Sequence, residues 1–384
     1  GCMISPLWEP STEEKESTLI TRFSKKIKEI YNLPNIEYST LHKWSVEHPD
    51  LFWLEVWKDC DVCFSKEWDK VLNISKFKTK KSKEKSDWFN GARLNFAENL
   101  LSNGEDENEA ICFTGEDGSI KSMNYDELRK VVSQCSSGMK KLGVNQMDRV
   151  ASVIPNCPEA IIGMLAASSL GAIWSSCSPD FGISGILDRL GQIEPKMLIT
   201  VNSYFYNGKE HNCLNKIREI IGKIPSIESV FIVSFTKTEF VLKAKEHEWD
   251  SLLDHSASNI EFAQLPFDHP LYILYTSGTT GLPKSIVHCA GGTLLKHLSE
   301  HRYHSDVKSG DRLFYFTTCG WMMWNWLVSG LASGATLILY DGAPCYPNIS
   351  RMWNWLISSL ASKASIVLFD GFPMYKRNDL LIKI

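Results

Sequence analysis

The chain has 384 residues, 43% of them hydrophobic, with 41 Lys and Arg against 45 Asp and Glu for a formal net charge of −4. That length predicts more than one domain with an ample core, and the mild acidity excludes a general attraction to nucleic acid or to an anionic membrane surface. No apolar run reaches the length that spans a bilayer, and the mostly polar stretch 1–17 carries no signal-peptide pattern. Eleven cysteines, an odd number spread through apolar segments, read as reduced thiols of a cytosolic protein. Cys60 and Cys63 form a lone C-x-x-C with no second pair and no His-x-His nearby. They read as buried or incidental thiols, and no metal-ligand set is expected.

Up to about residue 100 the chain is rich in Trp and charge. Aromatic residues at helical spacing in 41–46 and 52–57 predict short helices packed on a larger body. The basic run 76–85 (KFKTKKSKEK) reads as a solvated connector. Helical periodicity over 125–142 is followed by strands at 150–154, 172–174, 197–201 and 229–233, with helices at 158–170, 183–192 and 210–221 between them. This alternation predicts βαβ units around a parallel sheet, an α/β fold. The strands lack polar alternation, as expected where both faces are covered. Residues 235–263 are more polar and read as a connector between subdomains. The apolar run 271–275 predicts a buried strand that opens a second α/β layer, joined there by strands at 311–316 and 336–340.

Directly after that run come Thr276, Ser277, Gly278, Thr279, Thr280, Gly281, Leu282, Pro283 and Lys284. The glycines let backbone N–H groups approach an anion closely, the four hydroxyls add donors, and Lys284 adds a mobile positive charge. A loop of this kind suits a polyphosphate that is gripped and then released in part. It is not a Walker A loop, because Leu282 and Pro283 separate the last glycine from the lysine.

The loop resembles the signature of the adenylate-forming family, which embraces acyl-CoA synthetases, luciferases and peptide-synthetase adenylation domains. Four more blocks are similar to the acetoacetyl-CoA synthetases of that family: WFNGARLNFAENLL (88–101), GAIWSSCSPDFG (171–182), YNGKEHN (206–212) and GWMMWNW (320–326). The resemblance runs from Trp8 to Pro344. It implies the large N-terminal domain of an adenylate-forming enzyme, built of layered α/β subdomains with mostly parallel sheets. Residues 1–100 would be the N-terminal cap region and 101–384 a partial AMP-binding domain. The implied reaction joins acetoacetate, ATP and CoA into acetoacetyl-CoA, AMP and pyrophosphate through an acyl-adenylate, with Mg²⁺ helping to offset the charge of two approaching anions.

Residue by residue, the resemblance puts Thr276 to Gly281 and Lys284 on the β- and γ-phosphates, with Thr276 and Lys284 also taking part in catalysis. Trp321, Met322, Met323 and Trp324 would line the acid pocket, where adaptable Met and flat Trp suit a small β-keto acid. Trp326 and Leu327 read as core. Gly208 and Lys209 fall where relatives place a basic loop on the CoA 3′-phosphate, although Tyr206 stands where they carry arginine. Asp180, Arg189 and His288 read as packing or hydrogen-bonding residues, and Cys319 as a small buried one. The implied partners are these small molecules, not nucleic acid or membrane.

The family is longer than this chain. The adenine-gripping motif with its metal-coordinating glutamate, the ribose aspartate, the hinge and the mobile C-terminal domain with its lysine are not found after Pro344, so a truncated isoform or incomplete gene product is expected, one that does not carry out the complete two-step reaction. Residues 323–346 align without gaps to 352–375, with 15 identities in 24 positions. The second copy reads either as an alternative exon, setting Ser350, Arg351 and Met352 against Trp321, Met322 and Met323, or as the next helix (351–362) and strand (365–369) of the sheet. Three functions stay open: an acetoacetate ligase, a ligase for another short acid, and a non-catalytic product.

Overall fold

The computed structural model describes residues 9–73, 87–276, 281–348 and 365–366. The basic run 76–85, Ser277 to Thr280 and nearly all of the second repeat copy lie outside the described residues.

Four helices lead: α1 (Thr12–Ser17), α2 (Leu19–Tyr31), α3 (Tyr38–Glu47) and α4 (Pro49–Asp59). The aromatic spacing read from the sequence becomes α3 and α4, which bury Leu41, Trp44, Val56 and Trp57. Cys60 is buried after α4, its Sγ 3.7 Å from the Tyr303 hydroxyl, and burial pushes its thiol up to about 11. Strands β1 (Lys70–Leu72) and β2 (Trp88–Asn90) pair, and β3 (Arg93–Leu94) leads into helix α5 (Phe96–Leu101). Asn95 caps α5 through Glu98 N–H, while its amide donates to the carbonyls of Ser168, Ser169 and Ala263 at 3.1, 3.1 and 2.9 Å. Asn99 accepts from Cys63 N–H at 2.7 Å. Two buried amides therefore clamp the 88–101 block to the body.

The body opens with β4 (Glu109–Gly115), β5 (Ile120–Asn124) and α6 (Tyr125–Lys141). Helix α6 starts at a capping box in which the Asn124 side chain accepts from Glu127 N–H. Next come β6 (Arg149–Val153), α7 (Pro158–Ser169), β7 (Ile173–Cys177), α8 (Ile183–Leu190) and β8 (Met197–Val201). Helix α7 begins with Pro at its first position and is buried almost all round, as a helix between layers must be. A hairpin of β9 (Ser203–Tyr206) and β10 (Lys209–Asn212) precedes α9 (Leu214–Lys223) and β11 (Ser229–Val233). The helix expected from residue 210 thus starts later, because Glu210 pairs with Phe205 in the hairpin.

The chain continues through β12 (Glu246–Glu248), β13 (Leu265–Pro266), β14 (Pro270–Tyr275), β15 (Ser285–Cys289), α10 (Ala290–Ser299), β16 (Arg312–Phe314), α11 (Met322–Val328), β17 (Thr336–Asp341) and β18 (Ser365–Ile366). One sheet has seven strands in the order β12-β11-β8-β6-β7-β14-β15, and the other has five in the order β18-β16-β17-β4-β5. Both are parallel except for an antiparallel edge strand, β15 in one and β5 in the other.

Two expectations need correction. Strand β14 does not open a second layer: Tyr272 pairs in parallel with Trp174, so it completes the first sheet. The second sheet instead unites β4 with strands more than 190 residues later, Leu337 opposite Ile111. The polar 235–263 stretch is also more than a connector, because Glu246–Glu248 pairs in parallel with β11. Strand β18 adds to β16 through Leu313 opposite Ser365, where the sequence places a further strand. Among the described residues no helix is long and apolar enough to cross a membrane.

Candidate active site

Strands β6, β7, β8 and β14 run in one direction, so the segments after them gather along one edge of the seven-stranded sheet. In open α/β sheets that carboxyl edge is where ligands bind. The carboxyl ends of the five-stranded sheet meet it there. Ser176 Oγ of β7 donates to the Cys319 carbonyl at 2.6 Å, and the Cys319 thiol to the Pro155 carbonyl at 3.3 Å. The Trp324 indole N–H donates to Asn156 Oδ1 at 2.9 Å. Glu116, just after β4, accepts from Asn207 N–H (3.0 Å), Gly208 N–H (2.7 Å) and Ala343 N–H (2.6 Å).

The 276–284 segment is the loop of the β14–β15 hairpin, which closes at Tyr275 opposite Ser285. Thr276 N–H donates to the Lys284 carbonyl at 3.1 Å, and Lys284 N–H to Thr276 Oγ1 at 3.2 Å. Thr276 and Lys284 therefore form the neck of the loop. Gly281 has φ 157°, and a Cβ there would meet nothing within 4 Å, so there is open space at Gly281. Leu282 and Lys284 are exposed. The turn that follows α8 grips the neck: Gln192 Nε2 donates to the Pro283 carbonyl at 2.8 Å, and Ser285 Oγ to Gln192 Oε1 at 3.1 Å.

The other expected anion loop is built differently. Asn207 (φ 52°) and Gly208 (φ 75°) form the two-residue turn between β9 and β10, where an Asn-Gly pair supplies left-handed backbone. Both N–H groups are spent on Glu116. Gly208 also packs so closely that a Cβ would lie 2.6 Å from the Tyr346 ring. Lys209 is exposed beside it.

The aromatic block divides. Trp321 is 66% exposed and Met322 47%, whereas Trp324 is fully buried and offers no surface to a ligand. Met323 is half-buried, and Trp326 and Leu327 are core. Gly320 lies against Phe181, with a Cβ there 3.3 Å from the ring, so the block abuts the 178–182 loop. Burial holds the Cys319 thiol far above its ordinary range, which makes it no nucleophile. At the end of β17, burial pushes the Asp341 carboxyl up to about 7; Asn156 N–H opposes the shift, and Glu116, Asp180 and Asp117 add to it. His288 is half-buried against the Tyr272 ring at 5.3 Å, with its pKa lowered by burial.

Glu116, Gln192 and Asp341 were not among the residues singled out from sequence. A glutamate in a turn, an amide at a helix end and an aspartate closing a strand have no period that would mark them. Among the described residues no group of three or more His, Cys, Asp or Glu is placed to hold a metal ion.

Comparison with known proteins bears on this edge. The family model described as AMP-binding enzyme matches residues 102–362, and the one described as acetyl-coenzyme A synthetase N-terminus matches 38–100. The chain is 40% identical over 355 residues to the acetoacetyl-CoA synthetase of Xenopus tropicalis, covering 90% of this chain and 52% of that protein. It is 45% identical over 353 residues to the acetoacetyl-coenzyme A synthetase of Rhizobium meliloti, covering 89% and 52%. It is 43% identical over 354 residues to the malonamoyl-CoA synthetase of Penicillium aethiopicum, covering 88% and 48%. The solved acetoacetyl-CoA synthetase from Streptomyces lividans superposes with a TM-score of 0.85 at 36% identity, over 94% of this chain and 57% of that one. The chain thus spans about half the length of the curated relatives it matches. With a family model matched across most of its length and its sheets superposing on a solved relative, the chain belongs to the AMP-binding enzyme family.

Proposed function

We propose that the chain activates a short carboxylic acid bearing a β-carbonyl group, acetoacetate foremost, by adenylation with ATP ahead of transfer to CoA. The observation that carries this reading is the 276–284 hairpin loop on the same sheet edge as Trp321 and Met322, joined through the Phe181 loop. Relatives named for acetoacetyl-CoA and malonamoyl-CoA are 40–45% identical to it. Acetoacetate and malonamate share a carboxylate with a carbonyl two carbons away and differ by methyl against amino, so one pocket of this shape would serve either.

In the first step a carboxylate oxygen attacks the α-phosphorus, the bond to the bridging oxygen breaks and pyrophosphate leaves. Two anions must approach, so fixed donors and a cation carry the catalysis. Thr276, Ser277, Gly278, Thr279, Thr280, Gly281 and Lys284 would hold the β- and γ-phosphates of ATP, which brings Mg²⁺ with it. Trp321, Met322 and Met323 would contact the acid, with Trp324 buttressing them from behind. A CoA thiol would then attack the acyl carbonyl and expel AMP, with Lys209 beside the 3′-phosphate. Ten free cysteines among the described residues support a reducing compartment, the cytosol. Activating acetoacetate there would feed ketone-body carbon into lipid metabolism.

Acid-dependent exchange of pyrophosphate into ATP tests the reading, with acetoacetate, malonamate, acetate and butyrate compared on the full chain. The two β-carbonyl acids are expected to stimulate exchange most. Lys284→Ala is expected to cut it by roughly 10- to 1,000-fold while leaving the melting temperature unchanged, because Lys284 is exposed. A folded chain that neither binds MgATP nor exchanges with any acid overturns the proposal.

A further inference from the structure

We infer that helix α8 is the mechanical link between the 276–284 loop and the acyl-pocket wall, with Arg189 and Gln192 as positioning residues. The inference rests on the function proposed above for its meaning, but not for its geometry. The Arg189 guanidinium lies 4.7 Å from the Phe181 ring centroid and 5.9 Å from that of Tyr275. Phe181 is the ring against which Gly320 packs, one residue before Trp321. Tyr275 is the last residue before Thr276, and its hydroxyl is 3.1 Å from Ser175 Oγ. One cation thus touches the aromatic root of each loop. Its Nη1 donates to the Gly185 carbonyl within α8 at 2.7 Å, which fixes the guanidinium to the helix.

Gln192, in the turn two residues past α8, reaches the opposite side of the loop neck through Pro283 and Ser285. Both strands of the neck are therefore tied to α8, whereas the acyl side is tied to it through Arg189. A second cation, Lys216 of α9, donates to the carbonyls of Pro179 and Phe181 and holds the 178–182 loop alone. Three side chains with overlapping reach make the link separable. A guanidinium over two rings can transmit a shift of one to the other, because the attraction to each face falls off within about 6 Å.

Amide hydrogen exchange on the ligand-free full chain tests this. Arg189→Met keeps an apolar stem and is expected to speed exchange by roughly tenfold in two places together, 276–285 and 178–182. Gln192→Leu should speed only 281–285, and Lys216→Met only 178–182. Arg189→Lys should restore less than half of the protection, since an ammonium cannot lie flat on two rings; it also serves if Arg189→Met does not fold. An Arg189 variant that loosens one loop alone, or neither, overturns the link. A second arm measures MgATP affinity with and without saturating acetoacetate. The wild type is expected to gain roughly fivefold or more, and Arg189→Met to lose that gain while each ligand alone still binds. If the wild type binds neither ligand, the function proposed above falls and the exchange arm still decides the link.

Discussion

Two hairpins project from the same sheet edge, and they spend their backbone donors in opposite ways. In the short one, β9–β10, a two-residue turn aims the N–H groups of Asn207 and Gly208 at Glu116, so the chain supplies its own anion. In the long one, β14–β15, Thr276 and Lys284 bond to each other and close the loop at its base. The short hairpin becomes a strut between two sheets, and the long one is the loop proposed above to hold the nucleotide phosphates. Each loop carries a glycine and a lysine, adjacent in the short one (Gly208, Lys209) and separated by two residues in the long one (Gly281, Lys284). What marks the strut is that a buried carboxylate, Glu116, already occupies its donors.

The strut can be broken most severely at Glu116. This buried carboxylate joins the hairpin tip to Ala343 across the sheet junction. Glu116→Ala leaves the buried Ala343 N–H and the N–H groups of Asn207 and Gly208 at the exposed hairpin tip without their acceptor, and is expected to cost on the order of 3 kcal/mol, seen as a large fall in the urea midpoint. Glu116→Gln keeps one acceptor oxygen and should lose roughly half as much. If Glu116→Ala melts like the wild type, the strut is not structural, and the β9–β10 turn returns as a free anion site.

Glycine substitutions sharpen the same contrast at a smaller scale. Gly208 has φ 75° with the Tyr346 ring closing over it, so Gly208→Ala must move that ring and is expected to destabilise the chain by about 2 kcal/mol. Gly281 also has a backbone that disfavours L side chains, φ 157°, but open space surrounds it. Gly281→Ala should therefore reshape the loop locally, weakening MgATP binding by roughly tenfold with the melting temperature held within a degree or so. Equal thermal losses for the two variants would erase the distinction between the hairpins.

Much of this architecture can be read before any coordinates are seen, for reasons that lie in particular residues. Helix α6 announces itself by helical periodicity from Tyr125, α7 by the run of small and apolar residues that opens at Pro158, and strands β8 and β11 by apolar runs. Strand β12 is hidden because Glu246, His247 and Glu248 are polar, as a three-residue edge strand can be. Pairing order is hidden for another reason: nothing in residues 270–275 says that Trp174 will lie beside Tyr272. The site divides likewise. Thr276 and Lys284 stand in a dense local pattern, whereas the partners of Glu116 and Gln192 lie 91 or more residues away along the chain. Local spacing reports who stands in a loop, but only the packed sheets reveal which carboxylate or amide closes it.

The last expected effect appears only with pH and concerns Asp341, where the two sheet edges crowd acids together. In the unfolded chain its carboxyl ionises near the ordinary 3.8, whereas in the folded chain it does so at about 7. Between those values the native state keeps a proton that the unfolded state has released. Stability from this group is therefore greatest below pH 4, falls as pH rises through the window, and levels off above about 7. Asp341→Asn is neutral throughout and still offers an oxygen to Asn156 N–H. It should abolish that slope and make the variant more stable than the wild type at pH 8, with no advantage at pH 4. Urea titrations at the two pH values measure the difference directly. An unchanged pH slope would mean that Glu116, Asp180 and Asp117 do not press on Asp341, and that the junction holding the short hairpin is better hydrated than its burial indicates.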